Sequence, residues 1–187
     1  MANKTGRLVY VVGPSGAGKD ALLEYARAHL PPGAKVKFAR RWITRPADAG
    51  GERHLPLTQA EFEQRVKAGR FAMHWRAHGN GYGIEAEIRD WLLEGNTVVV
   101  SGSRGHLPQA LKDFPEMLIV HVTVRPEVLR ERLERRGRET EAEIEERLVR
   151  AAQFALPVGL AVTEVRNDGP LEEGGEALLQ AILGHYS

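Results

Sequence analysis

The sequence predicts an α/β fold with a mainly parallel sheet flanked by helices, and three observations carry that expectation. Short apolar runs alternate with stretches of helical periodicity, the order expected of strand–helix–strand units. The first run, LVYVV at residues 8–12, is apolar on both faces, as a strand buried within a parallel sheet must be. A glycine-rich turn, GPSGAGK at residues 13–19, then leads directly into a helical pattern.

The elements follow in order. The helix after the turn carries Leu22, Leu23, Tyr25 and Ala26 and stops before PPG at residues 31–33. Residues 36–39 (VKFA), 97–102 (TVVVSG), 117–124 (MLIVHVTV) and 160–165 (LAVTEV) read as further strands. Between the strands at 36–39 and 97–102 lies a stretch of different texture, residues 40–96, rich in Arg, His and Gly. It holds one helix opened by a capping box, Thr58 with Glu61, and closed at Gly69, and a second over residues 85–93. After residue 125 the chain becomes strongly charged. Leu129 and Leu133 share one helical face, Ile144, Leu148 and Ala152 another, and Thr140 with Glu143 caps the second helix. The two helices meet at the Arg136–Gly137–Arg138 turn. The expected organisation is a single domain, with core 1–39, 97–125 and 157–187, an insert at 40–96 and a helical lid at 126–156.

Composition narrows the chemistry. A chain of 187 residues buries a core without staples. There are no cysteines, which excludes disulfides, thiolate metal sites and a cysteine nucleophile. A net charge of +1 gives no global reason to expect nucleic acid or an anionic membrane as partner. No apolar run approaches the ~20 residues of a membrane span, and the apolar stretch in MANKTGRLVYVVG is too short for a signal-peptide core. A soluble, cytoplasmic protein is expected.

GPSGAGK has phosphate-loop spacing: Gly13, four residues, Gly18 and Lys19, between a buried strand and a helix. Glycines let backbone N–H groups turn in on phosphate oxygens, the helix N-terminus adds partial positive charge, and the lysine reaches the terminal phosphates. The final Ser/Thr, which normally ligates Mg²⁺, is replaced by Asp20. A carboxylate is also a hard oxygen ligand, so Asp20 suits the metal directly or through water; a first-turn acid favoured by the helix dipole is the alternative. RRWITRPADAGGERH at residues 40–54 gathers Arg40, Arg41, Arg45, Arg53 and His54, a cluster suited to an anionic acceptor.

With these motifs in order, nearly the whole chain resembles the guanylate kinase family. GPSGAGK matches its phosphate loop, TRP (residues 44–46) the start of its acceptor-phosphate segment, HGNGYG (78–83) its "HGNxYG" loop, and RLERRGRETEAEIEERL (132–148) its lid. The resemblance implies a P-loop nucleoside monophosphate kinase-like fold using ATP and Mg²⁺. It places Gly13, Pro14, Ser15, Gly16, Ala17, Gly18, Lys19, Asp20, Arg132 and Asn167 at the donor, with Lys19, Arg136 and Arg147 catalytic. Arg45 and Tyr82 carry over as acceptor-phosphate ligands. The departures fall at the base-reading positions, where Met73, Gly102 and Arg41 replace two acids and a small hydroxyl residue, and His54 stands for a tyrosine. Unpaired guanine donors would each cost about 1–3 kcal/mol. Together with GKD at residues 18–20 and GSR at 102–104, this resembles the ribose 1,5-bisphosphate phosphokinase branch of phosphonate breakdown, whose sugar bisphosphate has no base. Arg41, Arg53, His54 and Arg104 are then candidates for its second phosphate. A nucleoside monophosphate kinase and a non-catalytic phosphopeptide-binding module are the rival readings; the sequence leaves the oligomeric state open, a homodimer included.

Other features read as ordinary surface or core. His74 and His78 lack a third metal ligand nearby, the three tryptophans suit packing better than ligand stacking, and the Arg/Glu run of the lid is a salt-bridged solvated face. We predict that Lys19→Ala abolishes ADP production while leaving circular dichroism and thermal melting near those of the parent. A variant with near-normal turnover would reject the phosphate-loop assignment.

Overall fold

The computed structural model describes residues 6–48 and 53–184; the MANKT segment at residues 1–5 lies outside it. In chain order the elements are β1 (Arg7–Val12), α1 (Lys19–Ala28), β2 (Val36–Phe38), β3 (Arg41–Ile43), β4 (Leu55–Pro56), α2 (Gln59–Lys67), β5 (Phe71–Ala77) and β6 (Asn80–Glu85). There follow α3 (Ile88–Leu93), β7 (Thr97–Ser101), α4 (Leu107–Asp113), β8 (Leu118–Thr123), α5 (Pro126–Arg136), α6 (Glu141–Ala152), β9 (Val162–Arg166) and α7 (Leu171–Leu183). Among the described residues the strands form a five-stranded sheet, ordered β2-β7-β1-β8-β9, and a four-stranded sheet, ordered β4-β3-β6-β5. In the first sheet β2 runs parallel to β7, and β8 to β9.

The chain divides into two compact units, residues 1–10 with 32–117, and residues 11–31 with 118–187. In the first unit, Leu8, Val9 and Tyr10 of β1 and Val98, Val99 and Val100 of β7 are buried, so both strands are apolar on both faces. The second sheet belongs wholly to this unit. Its β5 alternates from Met73 onward as a half-buried strand should: Met73 and Trp75 are buried, His74 and Arg76 face solvent, and Phe71, before the irregularity, lies on the His74 side opposite Glu85. A register irregularity between Phe71 and Met73 also buries Ala72. Gly81 and Gly83 of β6 sit against aromatic rings. A Cβ at Gly81 would lie 2.8 Å from the Phe62 ring, and one at Gly83 would lie 2.5 Å from Phe71. Their neighbour Tyr82 pairs with Trp75 on the strand opposite.

One helix boundary departs from the sequence expectation. The segment 85–93 does not begin as a helix, because Glu85 is the last residue of β6 and α3 starts at Ile88. Glu85 pairs with Phe71 in the ladder, and its carboxylate accepts a 2.6 Å hydrogen bond from Arg65 of α2. The tertiary partners hold it in the strand despite its helical propensity. By contrast, both capping boxes form. Thr58 and Glu61 exchange bonds of 2.7 and 3.2 Å, and Thr140 and Glu143 bonds of 2.7 and 3.3 Å.

In the second unit, α1 packs on α7 through Leu22, Ala26, Leu178, Leu179 and Ile182. The lid helices α5 and α6 close over a small core of Leu129, Leu133 and Ile144, joined by Val124, Leu148 and Ala151. The outer surface of the lid is salt-bridged: Arg130 pairs with Glu134, Glu141 and Glu145, and Arg150 with Glu146. That surface is the solvated face expected of the charge run.

The helix α7 contains Gly174 and Gly175 near its start, both buried. Helix propensity alone favours alanine over glycine by about 1 kcal/mol. A methyl at Gly175, however, would lie 2.3 Å from Tyr25 Cδ1, where the ring base cannot swing away. Overpacking of this kind costs roughly 1–3 kcal/mol, so steric strain wins. Gly175→Ala is expected to lower the urea midpoint; an unchanged or higher midpoint would show that α1 and α7 have slack.

Candidate active site

The loop between β1 and α1 takes its shape from backbone conformations only glycine adopts freely and from close neighbours. Gly16 and Gly18 have φ of 88° and 83°, in the left-handed region. A Cβ on Gly18 would lie 2.4 Å from Asn167 Nδ2, and one on Gly13 would lie 2.8 Å from the carbonyl oxygen of Val122. The turn is closed by Ala17 N–H donating to the Pro14 carbonyl at 3.1 Å. Lys19 opens α1, and Asp20 is exposed on its first turn, at the positive end of the helix dipole.

Asn167 lies just after β9 and is buried. Its Nδ2 donates to the Ala17 carbonyl at 2.7 Å, and its own N–H donates to the Thr123 carbonyl at 2.8 Å. A side-chain amide thus ties the phosphate loop to the end of the sheet. Gly174 leaves room for this amide, since a Cβ there would lie 2.9 Å from Asn167 Oδ1. The lid arginines stand differently around the loop. Arg132 Nη2 donates to the Gly169 carbonyl at 3.4 Å, while its Nη1 is buried, without a hydrogen-bond partner, 3.9 Å from the Cβ position of Gly18. Arg147 bridges Ser15 Oγ at 3.3 Å and the Glu139 carboxylate at 3.2 Å. Arg136 is exposed at the end of α5, ahead of the left-handed Gly137. A glycine cradle with a buried unpaired guanidinium N–H beside it is a setting for phosphate oxygens.

The second cluster belongs to the first unit and is built on the four-stranded sheet. Arg41 of β3 lies over the Tyr82 ring, 5.5 Å from its centroid. Tyr82 stacks on Trp75 with centroids 5.4 Å apart and planes 1° off parallel, and Trp75 stacks on His106 at 5.0 Å. Four planar groups therefore form one column. Arg45 is half-buried in the loop after β3, and His54 Nε2–H donates to its carbonyl oxygen at 2.9 Å. His54 itself is buried, so it braces Arg45 rather than presenting an open face. Thr44 Oγ1 accepts from Gly81 N–H at 2.8 Å, joining this loop to the HGNGYG turn. Arg53 and Arg104 are exposed.

The residues at the base-reading positions have packing reasons of their own. Met73 is 1% exposed within the sheet core. At Gly102 a Cβ would lie 2.2 Å from Tyr10 Cζ, so the Tyr10 ring occupies the space any side chain would need. The Tyr10 hydroxyl donates to the Ser103 carbonyl at 2.8 Å and accepts from Ser103 N–H at 2.9 Å. Burial pushes its pKa up to about 12 against the lowering effects of the Ser103 bond and the Arg41 charge, so the phenol stays protonated and donating. Burial also lowers the His106 pKa, favouring neutral imidazole in the column.

A family model described as an AAA domain covers residues 9–150. A ribose 1,5-bisphosphate phosphokinase of Burkholderia mallei is 51% identical over 95% of this chain and 96% of its own length. One from Chromobacterium violaceum is 52% identical over 98% and 97%. The chain belongs to both the AAA-domain family and the ribose 1,5-bisphosphate phosphokinase family. In fold it is similar to a crystal structure of guanylate kinase from Anaplasma phagocytophilum, with a TM-score of 0.70 at 15% identity, covering 99% of this chain and 88% of that one. The P-loop, nucleoside monophosphate kinase-like α/β fold expected from the motifs is therefore present.

Sequence reasoning missed Tyr10, Trp75 and His106 as parts of the second cluster. Trp75 packs, as the sequence favoured, and its partners are Tyr82 and His106. Tyr10 reads as one more apolar residue of a buried strand, and nothing local shows that its hydroxyl meets a residue 93 positions away. Loss of a hydrogen bond that leaves a carbonyl unpaired costs about 1–3 kcal/mol, of which 1.4 corresponds to tenfold in affinity. Asn167→Ala should therefore weaken ATP binding about tenfold in a calorimetric titration while leaving the thermal melt cooperative. Unchanged ATP affinity would mean that the loop holds its shape without the amide.

Proposed function

We propose that this protein transfers the γ-phosphoryl group of ATP to the 1-phosphate of ribose 1,5-bisphosphate, forming 5-phosphoribosyl 1-diphosphate and ADP. The observation that carries the reading is identity of about half the residues with ribose 1,5-bisphosphate phosphokinases over nearly the full length of both chains. The two clusters fit the two substrates. The glycine cradle with Lys19, Arg132 and Arg147 takes the nucleotide phosphates. Arg41, Arg45, Tyr82 and Arg104 take the sugar phosphates, with Arg53 at the exposed end of the same loop. ATP as donor agrees with a cytoplasmic location.

The acceptor is a phosphate oxygen, already anionic near neutral pH, so no general base is required. Its lone pair attacks the γ-phosphorus, and the bond from that phosphorus to the β–γ bridging oxygen breaks, leaving ADP. Bringing two anions together is the main barrier, and the protein's contribution is alignment and charge stabilisation. Lys19 neutralises the terminal phosphates, and Arg147, already against Ser15 of the loop, adds a second positive charge. Arg136 lies on the same lid and is carried with α5. Asp20, an exposed carboxylate one residue past Lys19, is the group that would hold Mg²⁺, which when bound draws charge from the phosphate oxygens. Asn167 and His54 act through the residues they brace.

A parallel assay of ADP release decides the substrate. Release with ribose 1,5-bisphosphate and none above background with GMP is expected. Activity with GMP alone would reject the assignment.

A further inference from the structure

Arg104 is exposed on the turn between β7 and α4, where an arginine would ordinarily sample many directions. This turn is fastened at both ends. On one side of Arg104, the backbone N–H and C=O of Ser103 are both bound by the single hydroxyl of Tyr10. Tyr10 is fully buried, and Arg41 lies close enough to act on its phenol electrostatically. On the other side, His106 is buried and stacked on Trp75, which stacks on Tyr82, over which Arg41 lies. Both fastenings thus lead back to Arg41 and Tyr82. The ring of Tyr10 also abuts Gly102 so closely that the turn has no room to shift toward it.

We propose that Tyr10 and His106 are positioning residues that hold the Ser103–His106 turn so that Arg104 is presented beside Arg41 and Tyr82 for the phosphate of the acceptor remote from the transferred group. The inference rests on the reading of the acceptor given above. Neither residue touches substrate. Each acts by removing freedom from the backbone that carries Arg104, so that less ordering is left to be done when the anion binds. A clasp of one residue's N–H and C=O by one hydroxyl restrains the two peptide units on either side of Ser103, which a single bond does not.

The test uses Tyr10→Phe, His106→Ala and Arg104→Ala, alone and with Arg104→Ala combined with each of the others, on the full chain. Tyr10→Phe keeps the ring and removes only the oxygen. KM for ribose 1,5-bisphosphate should rise about tenfold in it, the size expected for loss of a buried hydrogen-bond pair, while KM for ATP stays within about twofold. In the Arg104→Ala background the same substitution should raise KM less than about twofold, because the residue it positions is gone. Effects of Tyr10 and Arg104 that multiply independently would overturn the proposal, as would a Tyr10→Phe enzyme with parental KM. If Tyr10→Phe does not melt cooperatively, His106→Ala decides by the same two criteria; failure of both to fold would assign the pair to the fold and overturn a role in the site. A parent enzyme that releases no ADP with ribose 1,5-bisphosphate would instead reject the substrate reading, and the proposal would fall with it.

Discussion

The structure depends on the burial of β1 on both faces. With no polar face, Arg7–Val12 is stable only inside a sheet, between flanking strands, and it takes the central place in the order β2-β7-β1-β8-β9. The same six residues feed both compact units, since Tyr10 ends one segment and Val11 begins the next. Its upper end releases the chain into the phosphate loop, and its Tyr10 side chain reaches the turn after β7.

The two clusters are held by different physics. The phosphate loop is backbone, and its carbonyls and N–H groups need partners that do not fill the cradle. A buried amide, Asn167, meets that requirement with one strong bond to Ala17, and glycine at positions 18 and 174 gives the amide its space. The second cluster is made of side chains on the four-stranded sheet. Planar stacking of Arg41, Tyr82, Trp75 and His106 stiffens it, because each ring restricts the next and leaves the guanidinium facing a flat support. Phe62 and Phe71 press on the opposite side, against Gly81 and Gly83. The glycines of the HGNGYG turn therefore serve packing as much as turning.

Legibility from sequence followed the range of the interactions. Features made by residues close in sequence were readable: both capping boxes, the glycine-rich turn, and lid pairs four positions apart such as Arg150 with Glu146. The helix start at Glu85 was misread because a cross-strand partner and the Arg65 ion pair outweighed local propensity. Gly102 and Met73 were read through what they lack as base readers. Packing gives a second reason for both, since the Tyr10 ring leaves no space at 102 and Met73 fills the sheet core. His54 appeared as one member of a basic cluster, and its bond to the Arg45 carbonyl gives it a bracing part.

By itself the sequence determined the α/β class, the glycine-rich phosphate-loop turn and the capped helices α2 and, in the lid, α6, because these rest on short periodicities and on residue types whose chemistry is local. Only the tertiary structure decided how each loop is kept in shape. Asn167 meets Ala17 across 150 positions and Tyr10 meets Ser103 across 93. Such contacts leave no periodic trace in the chain, since the partner of a buried amide or phenol is chosen by the fold that surrounds it and not by its neighbours in sequence.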